Sequence, residues 1–260
     1  MTVVRAMSFN LRCDTAEDGG DAWPHRREHA ASVVRFHGAD VVGAQEALPG
    51  QYADLRESLP EFEWVGVDRR DGRVGGSGEH TPLGFRADRF DRRDHGTYWL
   101  SESPGVVGSV GWDAACPRTV TWARLADRET GREFAVCNTH FDHEGERARR
   151  ESARLLRERL PEGPAVVTGD FNCTPDSAPF RALVADDLAD AKAAATAPHH
   201  GPTNTFHRFT GEAVRRIDYV FVTGDVGVVR HGTVADHWDG RYPSDHFPVV
   251  ADLRPGEAAE

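Results

Sequence analysis

The 260-residue sequence contains one lysine, Lys192, so its basic side chains are nearly all arginines. We read this as a compositional bias, not as a nucleic-acid signal. No stretch approaches the roughly 20 consecutive apolar residues that a membrane-crossing helix needs, which excludes that class. The start of the chain, Met1 to Leu11, has neither the basic opening nor the apolar length of a signal peptide. Only four cysteines occur, Cys13, Cys116, Cys137 and Cys173, too far apart for a clustered metal site and read as free thiols in a reducing compartment. The expected location is therefore the cytoplasm. A net charge of -11 argues against a broad basic face for duplex nucleic acid, because such affinity comes mainly from phosphate neutralisation. A local basic cleft stays open, but no aromatic-interleaved basic patch of the kind that stacks single strands stands out. No strand is followed by a dinucleotide-type glycine turn, and there is no low-complexity linker or internal repeat.

Hydrophobic content of 39% with 28% charged residues is that of an ordinary globular protein. The length suits one domain, taken as residues 1–254 with residues 255–260 as a disordered tail. Apolar segments with period-2 character recur along the chain: Val3 to Leu11, Asp40 to Ala44, Trp64 to Val67, Pro82 to Arg86, Gly96 to Ser101, Arg118 to Leu125, Phe134 to His140, Ala165 to Thr168, Arg216 to Val222 and Phe247 to Leu253. Helical spacing appears after Trp23-Pro24, from about Gly50 to Leu59, in the charged stretch Glu144 to Leu160, and from Pro175 to about Val184. Strands and helices mixed in this way favour an α/β sandwich of two sheets with helices outside. The loop from Asp68 to His80, with four glycines, reads as mobile.

Five separate apolar strands end in polar groups: Asn10; Gln45-Glu46; Asn138-Thr139-His140; Gly169-Asp170-Phe171-Asn172; and Ser244-Asp245-His246. Singly, each has an ordinary explanation as a turn former, a surface carboxylate or a core histidine. Their recurrence at strand ends, where sites are built, is the signal. Carboxylates and amide oxygens are hard ligands suited to Mg²⁺ or Mn²⁺, with Glu46 the foremost ligand candidate. The adjacent pair His199-His200 reads as solvent-exposed. Asp218, within Arg216-Ile217-Asp218-Tyr219, is the expected orienting partner of His246, which leaves Asp245 to face the metal side.

Taken in order, these motifs resemble the endonuclease/exonuclease/phosphatase family over nearly the whole chain. The stretch Tyr98 to Pro104 and Ser244 to Pro248 are most similar to a bacterial branch related to the deadenylase and nocturnin group. The resemblance implies a four-layer, deoxyribonuclease I-like sandwich of two packed mixed β-sheets flanked by helices, and a metal-dependent phosphoesterase. On this reading Mg²⁺ or Mn²⁺ sits at Glu46, assisted by Asn10 and Asp245. Asp170 activates the attacking water, Asn172 holds a phosphate oxygen, and His246, oriented by Asp218, moves a proton. His140 and Asn138 stabilise charge on the phosphoryl group. Within the family, Glu79 resembles a carboxylate that pairs with the position of His140, and Arg118 a phosphate-contacting arginine. The expected substrate is a small phosphorylated molecule or a nucleic-acid end, with longer RNA or DNA, or a non-catalytic binding module, as alternatives. No obligate protein partner is visible.

Overall fold

The computed structural model describes residues 2–257. Among them two six-stranded mixed sheets face each other. The first is ordered β11 (Val226–Thr233), β12 (Val249–Pro255), β1 (Val4–Asn10), β2 (Val41–Gln45), β4 (Leu83–Arg86), β3 (Phe62–Val65). The second is ordered β5 (Phe90–Trp99), β6 (Thr119–Asp127), β7 (Glu133–His140), β8 (Ala165–Asp170), β10 (Asp218–Val222), β9 (Ala189–Asp190). Helices α1 (Arg27–Phe36) and α2 (Pro49–Ser58) share an apolar cluster with the outer face of the first sheet, including Met7, Phe9 and Val42. The elements α3 (Glu146–Glu158) and α4 (Ala178–Leu183) do the same on the second, around Phe171, Tyr219 and Phe221. Strand alternation produces the layering: in β1, Val4 and Ala6 join the cluster between the sheets while Met7 and Phe9 join the outer one.

The same alternation carries the site. Following inner-facing positions along five strands, apolar residues give way to polar ones toward one end: Val4, Ala6, Ser8, Asn10 in β1; Val41, Gly43, Gln45 in β2; Val136, Asn138, His140 in β7; Val166, Thr168, Asp170 in β8; Val222, Val220, Asp218 in the reversed β10. The register aligns those polar ends, with Asn10 opposite Gln45, His140 opposite Asp170, and Asp218 opposite Asp170. Because β12 runs antiparallel to β1 and pairs Val249 with Ser8, the residues just before β12, including His246, arrive at the same end.

Three expectations change. The last strand continues through Pro255, and Glu257 pairs with Arg132 at 2.6 Å, so the proposed tail is in part ordered edge structure; residues 258–260 lie outside the described residues. The edge strand β11 is an addition: its bulge between Val228 and Arg230 and its two glycines interrupt the alternation that marks the other strands. Residues 68–80 are pinned rather than mobile. The buried Asp68 carboxylate accepts from the backbone amides of Arg70, at 2.6 Å, and Gly78, and Arg69 N donates to Glu79 O at 3.0 Å. A Cβ at Gly76 or Gly78 would run into that carboxylate, so these glycines serve close approach, not freedom.

Candidate active site

Asp170 is the focus. Its side chain is 2% exposed, and its Oδ2 accepts from Asn10 Nδ2 at 2.9 Å, lies 3.6 Å from His140 Nε2 and 4.0 Å from His246 Nε2. The other oxygen accepts from the Asn172 amide at 2.9 Å, a turn closed by Asn172 in the left-handed region at φ 47°. Asn172 Nδ2 also donates to Phe141 O at 3.0 Å and stands 3.2 Å from His140 Nε2. Glu46 leaves β2 with φ 61°, a conformation that costs a non-glycine residue of order 1 kcal/mol and is retained at functional sites. It turns the carboxylate back over the strand ends, where Asn10 Nδ2 donates to it at 3.0 Å and Cys13 N at 2.9 Å.

Glu46, His140 and Asp170 each offer one ligand atom within 4.8 Å of the others, as do Asp170, Asp218 and His246. The first set, two carboxylates and an imidazole, suits a hard or borderline divalent cation that completes its shell with water and phosphate oxygens. Two of the expected ligands stand differently. The Asn10 amide nitrogen, not its oxygen, faces the carboxylates, and the oxygen accepts from Arg12 N at 2.9 Å; Asn10 thus ties Glu46 to Asp170. Asp245 Oδ1 lies 3.9 Å from His246 Nε2 and belongs to neither cluster; burial, and then the Glu46 charge, raise its pKa against the pull of His246.

His246 is 5% exposed and its Nδ1 lies 2.8 Å from Asp218 Oδ2. That contact, against 3.9 Å to Asp245, makes Asp218 the orienting partner. Burial alone would lower the pKa of His246, but Asp218, Asp245 and Asp170 outweigh it and raise it to about 10, so the ring is an imidazolium at neutral pH. His140 goes the other way: burial, then the guanidiniums of Arg118 and Arg69, push its pKa well below the usual range, so it is neutral. Asp170 is raised by burial and by the Asp218 charge. Glu46 is lowered: burial opposes ionisation, and the Asn10 and Cys13 donors overcome it. One deep site therefore holds a neutral and a charged histidine on either side of a carboxylate inclined to take up a proton, the separation of pKa values that acid-base work requires.

Asn138 does not reach this site. It is fully buried; its amide donates to Ala44 O at 2.7 Å and Pro82 O at 2.9 Å, and its oxygen accepts from Gln45 Nε2 at 2.7 Å and Thr168 Oγ1 at 3.1 Å. Every hydrogen-bonding position is spent on bracing one sheet to the other, which leaves none for a phosphate. Gly43 belongs to the same brace, since a Cβ there would overlap Thr168 Oγ1 and Asn138 Oδ1. Glu79 is also placed differently: it forms a bidentate pair with Arg69 at 2.6 and 2.7 Å and has no bond to His140. The histidine finds its partner in Asn172 instead. Arg118 is 4% exposed, bonded to His143 Nδ1 at 2.9 Å and 3.4 Å from Asp142, with Nη1 unpartnered. It directly precedes β6, whose Val120 pairs with Thr139 of β7, and its charge acts on His140.

Arg26 was not anticipated. Fully buried, it donates to the carbonyls of Leu11, Arg12, Asp21 and Pro243, fastening the loop after Asn10 to the loop before His246. One arginine among thirty offers no pattern to find it by; only its place just before α1 is legible.

A model of the endonuclease/exonuclease/phosphatase family matches residues 7–246. An endonuclease/exonuclease/phosphatase structure from Bacteroides vulgatus is 40% identical, with a TM-score of 0.93 over 98% of this chain and 100% of that one. A mannosyl-6-phosphatase from Bacteroides thetaiotaomicron is 36% identical, with a TM-score of 0.89 over 96% of this chain and 99% of that one. Among curated proteins, nocturnin of Drosophila melanogaster is 28% identical over 96% of this chain, which spans 46% of that protein.

Proposed function

The chain belongs to the endonuclease/exonuclease/phosphatase family, whose members hydrolyse phosphate esters with a metal ion, and on that premise we propose that it cleaves a small phosphorylated molecule or a nucleic-acid end by attack of water. The observation that carries the reading is the convergence on one Asp170 oxygen of Asn10, His140 and His246, with Glu46 in the same cluster. An acidic chain of net charge -11 favours such substrates over long nucleic acid, and the likeness to a sugar phosphatase points the same way.

Glu46, Asp170 and His140 would hold the cation, proposed as Mg²⁺ or Mn²⁺. Bound there, it would polarise the phosphoryl oxygens and stabilise the leaving oxygen. Asp170, whose carboxylate lies within reach of both histidines, orients the attacking water and takes its proton. His246, charged and fixed by Asp218, donates to a non-bridging phosphoryl oxygen as charge develops. Asn172 orients His140, the Arg118 guanidinium adds positive charge beside it, and Asn10 keeps the two carboxylates in register. No helix among the described residues is long and apolar enough to cross a membrane, and the four free cysteines support the cytoplasm as the working location, with the two sheets acting as one catalytic domain.

The test is a hydrolysis panel of sugar phosphates, nucleotides, inositol phosphates and single-stranded RNA and DNA, with Mg²⁺ or Mn²⁺ and with chelator. Turnover that chelator abolishes and that Asp170→Asn and His246→Ala both suppress is expected. Activity surviving both substitutions would place the chemistry elsewhere.

A further inference from the structure

Beside His246 lies a group of side chains that the reaction above does not use. The Phe206 ring is 4.9 Å from the His246 ring, and two guanidiniums lie over it, Arg215 at 5.1 Å and Arg208 at 5.4 Å. Both arginines are exposed, and among the described residues neither has a carboxylate within salt-bridge distance. Other arginines, such as Arg56 and Arg73, also lack a carboxylate partner among the described residues; what sets Arg208 and Arg215 apart is that both lie over one ring that adjoins His246. Two like charges held at one ring without a carboxylate partner are stabilised by a nearby anion.

The segment is fixed to the catalytic loop. The amides of His207 and Arg208 donate to Asp245 O at 2.9 and 3.1 Å, and Phe247 N donates to Thr205 O at 2.8 Å. Arg208 and Phe209 are consecutive left-handed residues, at φ 53° and 61°, and this costly turn brings Arg208 back over Phe206. Guanidiniums over the ring compete with a flat base for stacking on it. Forked donors instead suit the oxygens of a phosphate or carboxylate.

We propose that Phe206, Arg208 and Arg215 form a subsite for a second anionic group of the substrate, so that the preferred substrate is a small molecule carrying two phosphoryl groups. This rests on the phosphoesterase reading, and the experiment separates the two. Hydrolysis of fructose 1,6-bisphosphate and of fructose 6-phosphate is compared in the wild-type chain, in Arg208→Ala/Arg215→Ala and in Arg208→Lys/Arg215→Lys. The wild type prefers the bisphosphate in kcat/KM by at least about tenfold; the alanine pair abolishes that preference through KM, and the lysine pair restores part of it. No preference in the wild type, or a preference that persists in the alanine pair, overturns the subsite. In parallel, fructose 1,6-bisphosphate is titrated calorimetrically into Asp170→Asn and into Asp170→Asn/Arg208→Ala/Arg215→Ala. Absence of turnover on either sugar counts against the phosphoesterase reading alone. The titration still decides the subsite: weakening by about tenfold in the triple variant supports it, and equal binding overturns it.

Discussion

The two ends of the gap between the sheets are built from the same strands and are chemically opposite. At one end Val4, Val41, Phe90, Phe134, Val136, Val222 and Leu253 fill the space with apolar volume. At the other the strands carry Gln45, Asn138 and Thr168, capped by Glu46, His140, Asp170 and Asp218. Apolar contact is non-directional, so the first end holds the sheets together without fixing any atom to a fraction of an ångström. The brace at the second end is directional, with every bonding position of Asn138 used although Gln45 Oε1 has no partner, and a lost bond that leaves a buried polar group unpaired costs about 1–3 kcal/mol. The comparison teaches that cohesion and precision are separated along the strands: one end supplies stability and the other holds the proposed catalytic groups in register.

If that division holds, the largest effect belongs to Asp170→Asn, which keeps the shape and removes the proton acceptor: kcat falls about 10³-fold with little change in thermal stability. Next comes Asp218→Asn, with a loss of about 10²-fold and a distinctive pH profile. In the wild type the Asp218 pair holds His246 charged to about pH 10, so the alkaline fall in rate lies there. Without Asp218 that limb moves to lower pH, and an unmoved limb would detach Asp218 from His246. The linkage has a sign. A histidine with a raised folded pKa contributes stability that is complete below its unfolded pKa of about 6.5 and is lost as pH rises toward the folded value. The wild type should therefore lose stability between about pH 6.5 and pH 10, and Asp218→Asn should lose less over that window; thermal melts across it measure the difference.

Asn138→Ala tests the brace. It removes buried bonds to Gln45 Nε2 and to the Ala44 and Pro82 carbonyls, of which Gln45 Nε2 keeps Gly43 O and Pro82 O keeps Ala44 N, and should cost about 1–3 kcal/mol. It should also lower kcat about tenfold, although Asn138 touches no substrate. Loss of stability with kcat intact would mean that the polar end is merely cohesive too.

The period-2 strands that build both ends were legible because burial on a sheet face writes itself into alternation, and the polar residues at their ends stood out by interrupting it. The Asp218 and His246 pairing was legible for the same reason. Local pattern could not reveal which polar residue faces the cation and which faces a neighbouring sheet. Asn138 and His140 differ by two positions on one strand, and only the approach of Gly43 from the other sheet decides that the first is spent on the brace while the second reaches Asp170. Arg208 and Arg215 escaped because they are seven residues apart and meet only through a turn of left-handed residues. The run Phe206, Arg208, Phe209, Arg215 was nevertheless an aromatic and basic signal in plain sight.

Glu79→Gln should lower kcat only about twofold to fivefold, since its charge meets Arg69 and not His140; a loss beyond a hundredfold would restore the direct pairing with the histidine.

The smallest effect on catalysis belongs to the apolar end. Phe134 is 1% exposed and meets Phe90 edge-on at 5.7 Å between ring centres. Phe134→Leu removes that contact while keeping most of the volume, and should cost about 1–1.5 kcal/mol. Because nothing at this end touches the catalytic groups, kcat/KM measured well below the melting temperature should stay within about twofold of the wild type, as independent sites do. Chemical denaturation and steady-state kinetics on the same preparation give both values. If kcat/KM instead fell in proportion to stability, the apolar end would be setting the position of Asp170 as well, and cohesion and precision could not be assigned to opposite ends of the same strands.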